Sequence, residues 1–193
     1  MNRKIAITAV SSVGIVMLVL ISGCTQQTSE TNTNNQNQAS GYYLYEDPQE
    51  RFSIEYPVTW DIREDISTQF NLDACFLSQS QEPTQIGTVM ISIQQLEDYV
   101  DMMYFLTAHI ENLSIDEGLP NFTIVSEHNT TLAGEDAHEL IFTYQYEIYT
   151  WKQREIWTIK NSMLYLVAFQ CDQERYEGFL EDVNHMVDSF DIT

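Results

Sequence analysis

Lysine is almost absent from this chain. Only Lys4, Lys152 and Lys160 occur in 193 residues, and Lys and Arg together number 8 against 29 Asp and Glu. The formal net charge is −21 and the pI is about 4.1. Affinity for a phosphate backbone rests on clustered Lys and Arg, so nucleic acid is excluded as a partner. Electrostatic attraction to an anionic membrane surface is unfavourable for the same reason. Glycine is scarce as well: seven are scattered along the chain, and none forms a loop that could cradle phosphates. The sequence has no HExxH, no CxxC, no GxSxG elbow and no DxDxDG calcium loop. These absences predict no enzyme and no cofactor, and they assign no catalytic or metal-binding residue.

What is present begins with an address. Arg3 and Lys4 precede a stretch from Ile5 to Ile21 that carries no charge. A positive start, an apolar stretch and small residues before a cut form an export signal. Leu20-Ile21-Ser22-Gly23-Cys24 resembles a lipobox. That resemblance implies that residues 1–23 are removed and that Cys24 carries a thioether-linked lipid. The alternative is an uncleaved membrane helix, near the shortest length that spans a core of about 30 Å. Both readings place the remainder outside the cytoplasm, because the positive end stays inside. Cleavage would remove Arg3 and Lys4 and no acid, taking the charge from −21 to −23. Repulsion on this scale is relieved by salt.

Residues 25–40, TQQTSETNTNNQNQAS, hold no aliphatic side chain larger than alanine and show no periodicity. Such a segment cannot bury enough apolar surface to offset its chain entropy. Residues 24–41 are therefore expected to be a lipidated cysteine followed by a flexible tether, with a reach of roughly 20–25 Å.

Residues 42–193 are expected to form one domain, because aromatic residues recur every few positions from Tyr42 to Phe190. About 150 residues suffice for a sound core. Short strands are predicted at Tyr42–Tyr45 and Arg51–Tyr56, then at Asp73–Ser78 and Gly87–Gln94. Within the last, Val89, Ile91 and Ile93 alternate with polar or softer residues. Tyr99, Met102, Leu106, Ile110 and Leu113 recur at steps of three and four, predicting a helix over Leu96–Leu113. Further strands are predicted at Phe122–His128, His138–Tyr149, Trp151–Ile159 and Met163–Cys171, with turns at Asn129–Gly134 and Lys160–Ser162. Tyr176, Phe179, Leu180, Val183 and Val187 share one face of a last helix over Gln173–Ser189. Consecutive strands with short turns imply a central antiparallel sheet covered by amphipathic helices, an α+β fold.

The segment from Tyr45 to Trp60 pairs an apolar strand with Tyr56-Pro57 and a Trp three residues later. Leu132-Ala133-Gly134 with Ala137 precedes a long strand, and the last helix ends in Ser189-Phe190. In order and spacing these segments resemble PsbP-like domains of the PsbP and DcrB type, over 42–193. The resemblance implies an α/β/α sandwich, a prokaryotic and possibly archaeal lipoprotein setting, and non-enzymatic binding or assembly. The expected protein is then an extracytoplasmic module anchored to the cell membrane by lipid, with a protein partner. Its alternative is a surface lipoprotein that binds a small ligand or cation.

Cys75 and Cys171 remain once Cys24 is set aside. In an exported protein they leave two readings open: a disulfide contributing about 4 kcal/mol in the chain-entropy model, or two buried thiols. His128 and His138 flank the predicted 129–137 hairpin. With Glu127 and Asp136 nearby they could hold a metal such as Zn²⁺, although solvated hairpin ends are the commoner outcome. His109 lies on the apolar stripe of the first helix and is expected at the edge of the core. His185 has no evident partner. Asn112, Asn121 and Asn129 each begin an N-glycosylation sequon, usable outside the cytoplasm of an archaeon or eukaryote. Tyr144, Tyr146, Tyr149, Trp151 and Trp157 could line a ligand cleft, but aromatics in strands are more often core.

Overall fold

The computed structural model describes residues 41–80, 86–96, 101–116 and 119–193. The leader, Cys24 and the tether lie outside them, as do residues 97–100 of the predicted first helix. Among the described residues ten strands form two antiparallel sheets. The smaller has the order β1-β2-β10, from β1 (Tyr42–Glu46), β2 (Phe52–Pro57) and β10 (Asp191–Ile192). The larger has the order β3-β4-β5-β9-β8-β7-β6. Its strands are β3 (Trp60–Ile62), β4 (Ala74–Ser78), β5 (Thr88–Gln95), β6 (Thr123–Leu132), β7 (Glu135–Tyr146), β8 (Tyr149–Lys160) and β9 (Met163–Asp172). Helices α1 (Glu64–Phe70), α2 (Met102–Glu111) and α3 (Tyr176–Asp188) complete the domain.

The alternation of each strand divides the large sheet into two buried faces. Phe76, Val89, Ile91, Ile156, Val167 and Phe169 project to one of them. There they pack with Phe52, Ile54 and Ile192 of the small sheet and with Tyr176, Val183 and Met186 of α3. Cys75, Leu77, Met90, Trp157, Leu166 and Ala168 project to the other, beneath Ile66 of α1 and Phe105 and Leu106 of α2. Leu140, Phe142 and Tyr144 of β7 extend that second face under Leu113 and Leu119. The layers are thus the small sheet with α3, the large sheet, and α1 with α2.

Several local expectations change. The Asn129–Gly134 turn is shorter than its polar residues suggest. β6 runs on to Leu132, and only Ala133 (φ 53°) and Gly134 (φ 76°) turn the chain. Two successive positive φ values make the tight hairpin turn that matches strand twist, and Gly134 adopts it without a Cβ penalty. The first helix is shorter than its stripe. Leu96 is not helical, and its N–H bonds to Ser162 O. The helix begins after Asp101, whose side chain accepts from the Tyr104 N–H, and Asn112–Asp116 continues it as a π-helical turn. β3, α1 and β10 are elements beyond those the sequence pattern predicts. Trp60 is buried and meets the ring of Phe179 edge-on at 5.9 Å.

Cys75 and Cys171, the cysteines among the described residues, are free. Cys75 is opposite Met90 and buried on the α2 side, whereas Cys171 belongs to the α3 side. The disulfide reading is therefore corrected: the two residues do occupy strands of one sheet, but the sheet stands between them. Burial pushes each thiol up to about 12, consistent with the buried-thiol reading.

Candidate functional site

Inward positions on β8 are occupied by Gln153, Glu155 and Trp157, polar residues in two places where apolar ones would be expected. Glu155 is a nearly fully buried carboxylate, and its oxygens accept from three groups. His109 Nε2 of α2 approaches to 2.7 Å, Trp157 Nε1 donates at 3.1 Å, and Gln153 Nε2 donates at 2.7 Å. His109 stacks on Phe105 and meets Trp157 edge-on. Such a carboxylate is tolerated because its lone pairs are filled. Both His109 and Glu155 have side chains only 3% exposed, so in this arrangement the pair pins α2 to the sheet and cannot meet a substrate. The core-edge expectation for His109 understated how deeply it sits.

The opposite face carries a second network. Arg154 donates to Glu139 through Nε at 2.7 Å and to Asn184 of α3 through Nη1 at 2.7 Å. The Lys152 ammonium lies 3.8 Å above the Tyr176 ring. Together these fasten α3 to β8. At the start of the domain, Asp47 is buried in the β1–β2 turn and takes two hydrogen bonds from the Arg51 guanidinium. Arg51 also reaches Asp73 at 2.7 Å, tying the small sheet to the large one. The Arg51 guanidinium holds the Asp47 carboxyl below the usual range. Asp47 and Arg51 lie within the Tyr45–Trp60 segment, but their spacing alone gives no signal that Asp73 joins them.

His128 and His138 do not face each other. His128 is opposite Glu139 and His138 opposite Asn129, and successive cross-strand pairs project to opposite faces. His128 Nε2 lies 3.3 Å from Glu139 Oε1, while His138 lies 3.0 Å from Glu127 and 3.1 Å from Asn129. Among the described residues, no group of three or more His, Cys, Asp or Glu could hold a metal ion. His185, read as unpartnered, bonds Glu55 at 2.7 Å and stacks on Tyr42 at 3.7 Å. The aromatic strand residues do not line a cleft: Tyr144 and Trp157 are buried in separate clusters, Tyr146 and Trp151 pack against that of Tyr144, and Tyr149 is exposed.

Open chemistry lies at one edge of the large sheet. β6 is its terminal strand and is exposed along most of its length. A bulge at Val125 interrupts its register with β7, a feature that re-aims side chains at sheet edges. Ile124 is 39% exposed and Val125 54%. The same end of the sheet carries the β7–β8 turn, where Ile148 is 88% exposed and Tyr149 36%. Gln145 N donates to Pro120 O at 2.7 Å, holding the entry to β6 against the end of β7. Half of the eight exposed large apolar side chains among the described residues therefore gather at this end.

The model of the family described as PsbP-like protein matches residues 4–192. The chain belongs to that family. Solved structures agree on the fold. The solution structure of cyanobacterial PsbP (CyanoP) from Synechocystis superposes with a TM-score of 0.61 at 10% identity, covering 82% of this chain and 98% of CyanoP. LpqN of Mycobacterium tuberculosis, described as involved in cell envelope biogenesis, gives 0.58 at 14% identity over 79% and 90%. The Ran-binding protein Mog1p of Saccharomyces cerevisiae gives 0.53 at 9% identity over 78% and 95%. No curated protein matches. At these identities the PsbP-like domain shares a fold with these structures, and its chemistry must be read from its own residues.

Proposed function

We propose that this PsbP-like protein is a non-enzymatic binding module, anchored by a lipid on Cys24 to the extracytoplasmic face of the cell membrane. Its domain docks a protein partner through the β6 end of the large sheet. The observation that carries the docking is the gathering of Ile124, Val125, Ile148 and Tyr149 around an unpaired strand edge. Exposed apolar side chains beside an open edge offer both desolvation energy and main-chain hydrogen bonds to a partner. The net charge of −21 selects a partner with a basic contact surface. In this reading attachment is the task of the lipid on Cys24, the residue that closes the Leu20–Cys24 segment. The buried acid–base pair is explained by packing, and the sequence offers no catalytic motif beside it.

The test is site-specific photocrosslinking in the intact cell. A crosslinker at Val125 or Ile148 is expected to capture one and the same partner, and Val125→Asp to abolish the adduct formed from Ile148. The same crosslinker at Asp188 on α3 is the control. Equal capture at all three positions would overturn the docking assignment.

A further inference from the structure

We propose that Asn129 is an N-glycan acceptor and that its glycan guards the outer edge of β6. This inference rests on the extracytoplasmic reading above and is independent of the partner.

Three sequons fall within twenty residues, and the fold separates them. Asn112 stands where α2 passes into the π-helical turn. It is half-buried, and its N–H is engaged by Ala108 O and His109 O. A glycan there would project from inside a helix that packs on the core. Asn121 holds a left-handed conformation, with φ of 56°, and its Nδ2, the atom a glycan takes, donates to Gln145 Oε1. Modification would remove one of that nitrogen's hydrogens and crowd the contact that seats the entry to β6.

Asn129 differs on each count. It is exposed, it lies in the middle of the edge strand, and its Oδ1 rather than its Nδ2 meets His138 Nδ1, at 3.1 Å. Glu127 holds the same imidazole from its other nitrogen at 3.0 Å. Glu127, Asn129 and Thr131 alternate along one face, all exposed, so acceptor and sequon hydroxyl point the same way. In the transfer, the anomeric carbon of a lipid-linked glycosyl phosphate forms a bond to Nδ2. Nδ2 gives up one proton, and the lipid phosphate leaves with the bonding electrons. Oδ1 is untouched, and the contact with His138 survives.

The position also answers a problem of the fold. A ten-residue edge strand rich in Thr, Ile and Val, with a single acidic and a single basic-capable side chain, is a template for unwanted pairing. The Val125 bulge disrupts one end of it. A bulky hydrated glycan at Asn129 would cover the stretch beyond the bulge and leave Ile124 and Val125 accessible.

The experiment is peptide mapping of the protein purified from membranes of its own cells. Chymotrypsin is used because no Lys or Arg lies between Arg63 and Lys152. The peptide containing Asn129 is expected to carry a glycan. The intact mass should fall by one glycan in Asn129→Gln and in Thr131→Ala, and be restored in Thr131→Ser, which keeps the sequon. A bare Asn129 in chains whose Cys24 is lipidated, or glycans on Asn112 or Asn121 instead, would overturn the proposal while leaving the anchor intact. A bare Asn129 together with an unmodified Cys24 and a retained Met1 would overturn both.

Discussion

Replacing His109 with Leu should cost the fold about 3 kcal/mol, the upper end for leaving a buried polar group without one of its hydrogen-bond partners. The carboxylate of Glu155 would keep Trp157 Nε1 and Gln153 Nε2 but lose its contact at 2.7 Å with α2. Glu155→Leu should cost more, roughly 3–5 kcal/mol, because it orphans three buried donors at about 1–3 kcal/mol each, partly offset by the added apolar side chain. In the double variant only Trp157 and Gln153 are orphaned. Its loss should therefore fall short of the sum of the single losses by about 4 kcal/mol, the His109→Leu loss plus one donor no longer orphaned, which is the coupling between the two residues. The assay is urea unfolding followed by far-ultraviolet circular dichroism on wild type, both single variants and the double variant. Additivity within about 0.5 kcal/mol would refute the reasoning, since independent sites behave that way. It would mean that Phe105 and Leu106 alone hold α2 on the sheet.

Three further outcomes follow from other parts of the molecule. Asp47 is held below its ordinary value of 3.8 by Arg51, so its contribution is fully present above about pH 4 and is lost as pH falls through the lower folded value. Urea midpoints measured from pH 5 to pH 2 should fall more steeply for wild type than for Arg51→Ala, and parallel curves would contradict the assignment. Cys75 and Cys171, buried and raised to about 12, should resist a disulfide-exchange reagent at pH 8 in the native protein and react within seconds in urea. A non-reduced mass 2 Da below the dithiol value, about one hydrogen lost per sulfur, would show a bridge instead. A Cβ on Gly87 would lie 3.0 Å from Phe179 Cε1, so Gly87→Ala should cost about 1–3 kcal/mol by overpacking. Phe179→Leu in the same chain should recover part of that loss, and no recovery would place the strain elsewhere.

The parts of this fold that could be read from the chain are those where periodicity and burial coincide. β5, β8 and β9 alternate or run apolar, and α3 gathers Tyr176, Val183 and Met186 on one face. Short elements held by the tertiary structure gave no such signal. β3 has three residues, and α1 buries only Ile66. β6 was cut short because Asn129, Thr130 and Thr131 look like turn residues, yet an edge strand needs no apolar face to pair with β7. The histidine pair failed for a reason of parity: His128 and His138 are close along the hairpin, but pairing with Glu139 and Asn129 sends them to opposite faces. The same parity separates Cys75 from Cys171. Glu155 was legible in principle, as an acid in register with Gln153 and Trp157 on an inward face, and only the reach of His109 from α2 lay beyond the sequence.

The anchored, outward-facing module is tested most directly by the intact mass of the protein recovered from its own cells. The expected chain begins at Cys24 and carries the mass of a lipid on that residue, whether or not a glycan is also present. A chain that begins at Met1 with an unmodified Cys24 would contradict it.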